Sequence, residues 1–147
     1  MIAIFTWFQL RFEINKKIIN MDPIFYEGTQ KTPAVKLDAG KGVVEIKGRS
    51  IPENSIEFYK PLVDWLEEYA EEPKQRTEVN IQLEYFNTSS SKCILDVFKK
   101  LENVQKEDNE VMINWYYEED DEDMLEAGED YQSILKIPFK MIEIEEE

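Results

Sequence analysis

The chain has 147 residues, 42% of them apolar and 12% aromatic, enough for one domain that buries roughly 70% of its unfolded surface. Its 17 Lys and Arg against 32 Asp and Glu give a formal charge of −15, which repels nucleic-acid backbones and anionic membrane and is best met by a basic patch on a protein partner. Histidine is absent and Cys93 is the only cysteine, which excludes an internal disulfide framework and a multi-cysteine zinc site. It also removes the usual general base, makes enzymatic hydrolysis a poor expectation, and points to a reducing cytoplasm.

Residues 1–20 begin apolar but meet Arg11, Glu13, Lys16 and Lys17 too early to span a bilayer. A basic start and a small-residue cleavage site, the marks of a signal peptide, are both missing. Met21 offers a second start, so residues 1–20 are expected to be an extension outside a single functional domain of residues 21–147. An amphipathic anchor or an added edge strand is the alternative.

After a loop through Gly28, Thr29, Thr32 and Pro33, two β-rich runs flank Asp38-Ala39-Gly40-Lys41, which predicts a hairpin over residues 34–46. Helix-start residues over 50–55 precede Tyr59, Leu62, Val63, Leu66, Tyr69 and Ala70 at helical spacing. Pro61 interrupts that pattern and predicts a kink or a later start. Val79, Ile81, Leu83 and Tyr85 then alternate with Asn80, Gln82, Glu84 and Phe86, the period of a strand.

Asn87-Thr88-Ser89-Ser90-Ser91-Lys92 breaks the alternation, and Ile94, Val97, Phe98, Leu101 and Val104 follow as the stripe of an amphipathic helix. Residues 111–117 form the next strand, so strand, helix and strand make a βαβ unit. Residues 118–130 include nine acids and are expected to be a solvated acidic loop. Tyr131 to Leu135 finish a third helix, and residues 139–144 form a last short strand. The expected fold is α/β: a single sandwich of helices on a mixed sheet, with a hairpin followed by βαβ units.

Three features invite chemistry. The acidic run lacks EF-hand spacing, because counting from Asp120 places Met124 and Leu125 where a ligand and the Gly belong, and no metal site is expected. Cys93 lies where a helix dipole could lower its pKa, but a packed, idle thiol is the expected role. Trp115, Tyr116 and Tyr117 are expected to fill both faces of the sheet, an exposed partner hot spot being the alternative. The turn from Asn87 to Lys92 is rich in helix-capping side chains, and plain capping accounts for it. A hydroxyl at a helix N-terminus can also carry phosphate, since unpaired amides and the dipole favour negative charge there.

Several short motifs in order carry a resemblance: Gly28-Thr29 with Thr32-Pro33-Ala34, Pro52-Glu53-Asn54-Ser55, Asp64-Trp65, Tyr85-Phe86-Asn87-Thr88-Ser89-Ser90, Trp115 with Tyr117, and Pro138-Phe139. Over about residues 28–144 the chain is similar to the SiaC family of biofilm-regulation phosphoproteins. The resemblance implies a STAS-like domain without catalysis or cofactor, in which Thr88 is phosphorylated by a cognate Ser/Thr kinase and restored by a PP2C-like phosphatase. It implies further that the unphosphorylated protein binds and stimulates a diguanylate cyclase, the source of cyclic di-GMP, with Asn87, Ser89, Ser90, Ser91 and Lys92 as candidate partner-binding neighbours. Pro61 and residues 1–20 depart from the family pattern. A constitutive STAS-like scaffold and a small anion-binding domain remain the alternatives.

Overall fold

The structure is a computed structural model that describes residues 21–106 and 108–145; the expected extension, residues 1–20, lies outside the described residues. One mixed sheet holds six strands side by side in chain order: β1 (Ile24–Tyr26), β2 (Ala34–Asp38), β3 (Val43–Ser50), β4 (Arg76–Phe86), β5 (Glu110–Glu118) and β6 (Phe139–Ile144). The first three pair antiparallel, and β3 through β6 are parallel. Helices α1 (Ser55–Tyr69), α2 (Thr88–Val104) and α3 (Glu122–Ile134) make the three parallel crossovers. With parallel strands adjacent in chain order, right-handed crossovers put all three helices on one face.

The result is two layers, the α/β sandwich expected from the hairpin and βαβ pattern. Its core lies between the helices and one sheet face, where Leu37, Ile46, Val79, Ile81, Ile113 and Trp115 meet Leu62, Leu66, Ile94, Val97, Phe98 and Leu101. The other face is a polar ladder in which Glu45, Asn80, Asn114 and Lys140 are successive register partners across β3 to β6. Asn114 donates there to Glu78 Oε2 and Asn80 Oδ1, both at 2.9 Å.

Three local expectations need correction. Helix α1 does not start after Pro61; it starts at Ser55, with Asn54 accepting from the Glu57 N–H at 3.1 Å. Pro61 lies on its exposed side, where water can serve the Glu57 carbonyl that the ring's missing N–H leaves. The simple alternation of β4 also fails at its end, because the register with β3 slips after Gly48, which adopts φ +115°, so that Arg49 faces Tyr85 and not Glu84. This β-bulge turns Tyr85 outward, 51% exposed beneath the Arg49 guanidinium, and turns Phe86 inward, edge-on to Trp115.

The acidic run is not a free loop, since Asp121 caps α3 and Glu122 and Asp123 occupy its first turn, where the dipole favours acids. Trp115 fills the core face of the sheet as expected, and the alternative of an exposed hot spot fails for it: it is wholly buried, and its Nε1–H donates to the Met124 carbonyl at 2.9 Å. No described helix is long and apolar enough to cross a membrane.

Candidate functional site

Parallel strands in chain order bring their carboxyl ends to one edge, and each of the three helices starts there. The capping residues are Asn54, Asn87 and Asp121. The turn from Asn87 to Lys92 lies between the other two. It is anchored by the end of β3, whose Ser50 carbonyl accepts from the Asn87 N–H at 3.1 Å and from Ser90 Oγ at 3.0 Å.

The five consecutive capping-type side chains divide into distinct roles. Asn87 is the cap: its Oδ1 accepts from the Ser90 N–H at 2.8 Å and from Ser89 Oγ at 3.1 Å. Ser90 is wholly buried and extends a hydroxyl chain, receiving Ser50 Oγ–H at 2.8 Å, while Ser50 Oγ lies 2.6 Å from Tyr59 Oη. Because Ser50 donates to Ser90, Tyr59 is the donor to Ser50. Burial pushes the Tyr59 hydroxyl far above its ordinary pKa and keeps it a neutral donor.

Ser89 is exposed, but its hydroxyl is bridged by Ser55 Oγ at 2.8 Å, which ties the start of α1 to that of α2. Ser91 lies 3.1 Å from Tyr131 Oη, and Tyr131 donates to the Ser91 carbonyl at 2.8 Å, tying in α3. Burial raises the Tyr131 pKa as well.

Thr88 and Lys92 remain, both exposed and one helical turn apart. Thr88 is the first residue of α2, and among the described residues its hydroxyl has no hydrogen-bond partner. Asn87 takes the Ser90 N–H and its carbonyl takes the Ser91 N–H at 3.0 Å, which leaves the Thr88 and Ser89 amides outside the helical ladder. A group attached to Thr88 Oγ therefore stands in water beside free amides at the positive end of a helix.

Sequence reasoning did not find Ser50, Ser55, Tyr59 or Tyr131 as supports of this turn. Their only signal was polar or aromatic placement, and their partners lie 9 to 40 residues away. Cys93, one turn into α2, is buried. Burial, and secondarily the Asp96 charge, push its thiol above the ordinary value, so no helix-activated thiolate forms. Among the described residues no group of three or more Cys, Asp or Glu side chains is placed to hold a metal ion.

The division of labour separates two neighbouring substitutions. Asn87→Ala removes a cap and is expected to lower unfolding free energy by about 1 kcal/mol, whereas Thr88→Ala stays within about 0.5 kcal/mol of wild type. Urea denaturation of both variants checks this; equal losses would place the cap elsewhere.

The profile of SiaC family regulatory phosphoproteins matches residues 26–144. An uncharacterised protein of Pseudomonas aeruginosa strain UCBPP-PA14 is 32% identical over 119 residues, 81% of this chain and 94% of its own length. Apo-SiaC from Pseudomonas aeruginosa superposes with a TM-score of 0.74 at 31% identity, covering 82% of this chain and 98% of that one. A chain in the crystal structure of the Pseudomonas aeruginosa diguanylate cyclase SiaD in complex with its activator SiaC gives 0.76 at 31% identity, covering 82% and 99%. This protein belongs to the SiaC family of regulatory phosphoproteins, and its role is regulatory, not enzymatic.

Proposed function

We propose that this chain activates a diguanylate cyclase in the cytoplasm and that phosphorylation of Thr88 turns the interaction off. A cognate Ser/Thr kinase adds the phosphate and a PP2C-like phosphatase removes it. The observation that carries this reading is the position of Thr88. In a turn where Asn87, Ser89, Ser90 and Ser91 are all engaged, its hydroxyl alone is exposed and unbonded. The solved complex of SiaD with its activator SiaC supports the choice of cyclase.

The chemistry of the switch is local. A phosphate adds about −1.5 to −2 charges, which the amides and dipole at the start of α2 accommodate without unfolding it. An interface that covers Thr88 must then desolvate that charge, and affinity falls while the fold stays intact. Asn87, Ser89, Ser90 and Ser91 hold the turn in shape, and Lys92 flanks Thr88 on the same exposed face. Phosphosite mapping by mass spectrometry, on protein from its native cells, tests the assignment. Phosphate on Thr88 is expected; stoichiometric phosphate on Ser89 or Ser91 instead would contradict it.

The domain proper is residues 21–147 on this reading. The six strands of the described residues and the family match lie within residues 24–144, and Trp65 Nε1–H holds the Asp22 carbonyl at 2.8 Å. A chain that starts at Met21 is expected to melt within a few degrees of the full chain and to bind the cyclase equally well. A large fall in melting temperature or affinity would make residues 1–20 part of the domain.

A further inference from the structure

Helix α2 brings the two exposed residues of the Thr88 turn within reach of one another. Thr88 is its first residue and Lys92 stands four positions on, so their Cβ atoms lie about 6 Å apart on one side of the helix. Lys92 and Lys99 are exposed and have no ion-pair partner among the described residues, although the chain holds 32 Asp and Glu against 17 Lys and Arg. Lys100, by contrast, is held by Glu67 of α1 at 3.7 Å. The first turn of α2 contains no acid that competes for Lys92. Asp96 lies four positions beyond it, but with the base before the acid, the less favourable order along a helix.

We propose that Lys92 is the counter-ion of phosphorylated Thr88, so that modification closes an ion pair within α2. The order is the favourable one, with the anion nearer the helix N-terminus and the cation one turn on, and phosphate oxygens are strong acceptors for an ammonium group. The free amides and the dipole meet the phosphate from the end of the helix, and Lys92 meets it from the side. A further dianion on a chain of formal charge −15 meets general repulsion, which the pair offsets at the point of attachment. An interface over Thr88 then loses a neutral hydroxyl and a free ammonium in one step. The inference rests on the Thr88 reading above for its role in the switch, but the pair itself needs neither kinase nor cyclase and can be tested apart from them.

The test uses the full chain with phosphothreonine installed at position 88 by an expanded genetic code. It compares wild type with two variants of equal net charge, Lys92→Gln and Lys99→Gln, since glutamine and lysine form helix about equally well. Phosphorus NMR follows the second ionisation of the phosphate. A cation beside it favours the dianion, so Lys92→Gln is expected to raise that pKa by about 0.3, a twofold change in the ionisation constant, and Lys99→Gln to leave it in place. An equal rise in both variants would reduce the effect to overall charge, and no rise with Lys92→Gln would leave no pair; either result overturns the proposal. A double-mutant cycle gives a second readout without phosphate: Lys92→Gln is expected to lower the melting temperature more in a Thr88→Glu chain than in wild type, and an equal loss in both would overturn it. Absence of phosphate from Thr88 in native cells, the failure of the switch reading, is scored separately by the phosphosite mapping.

Discussion

Thr88→Glu is expected to bind the cyclase about a hundredfold more weakly than the unmodified chain, a loss of roughly 3 kcal/mol. Thr88→Ala is expected to keep full affinity and to be refractory to the kinase. The glutamate places a carboxylate where phosphate would stand, at the free amide end of α2, so the helix tolerates it and the cost falls on the interface. One carboxylate imitates a doubly charged phosphate imperfectly, and the phosphorylated protein should bind more weakly still. Because Asn87 and not Thr88 caps α2, neither variant owes its behaviour to unfolding, and both should retain the wild-type melting transition. A Thr88→Glu chain that binds as tightly as Thr88→Ala would leave a constitutive scaffold as the better reading.

Gly128→Ala is expected to cost about 3 kcal/mol of unfolding free energy, measured by urea denaturation, despite its exchange of a poor helix former for the best one. A Cβ at this position of α3 would stand 2.5 Å from Trp115 Cδ1 and 2.6 Å from its Nε1. The indole has no room to retreat. It is wholly buried, its N–H is held by the Met124 carbonyl at 2.9 Å, and Phe86, Phe98 and Tyr131 close around it at centroid distances of 5.6 to 6.4 Å. Helix α3 must therefore lift from the sheet, which also pulls at the bond from Tyr131 to Ser91 beneath the Thr88 turn. Adding Trp115→Phe should recover part of the loss, a non-additivity expected of touching residues. A Gly128→Ala chain as stable as wild type would show that the two layers are less tightly packed than this.

Most of the architecture was legible because its strands alternate and its helices carry continuous stripes. Val79, Ile81 and Leu83 announce β4, and Ile94, Val97, Phe98 and Leu101 announce α2, by spacing alone. Strand β1 was not legible, since three residues hold no period. The bulge that exchanges Tyr85 and Phe86 depends on the register with β3, which is a property of two strands and invisible in either. The start of α3 was masked by charge, although Met124, Gly128, Tyr131 and Leu135 already stood at spacings of three and four. Acids that look like a solvated loop in composition are favourable in a first helical turn.

The candidate site divides in the same way. Its place at a strand-to-helix turn and its capping chemistry were readable, and family resemblance singled out Thr88. Which hydroxyl stays free was not readable, because that depends on the distant partners Ser50, Ser55 and Tyr131 that engage the other three.

The most direct measurement is the affinity of one preparation of the chain for the cyclase before and after stoichiometric phosphorylation of Thr88, with phosphatase treatment to close the cycle. Calorimetry is expected to give tight binding for the unmodified chain, a loss of about a hundredfold or more on phosphorylation, and full recovery once the phosphate is removed. Equal affinities for the two forms, with Thr88 verified as fully phosphorylated, would contradict the switch.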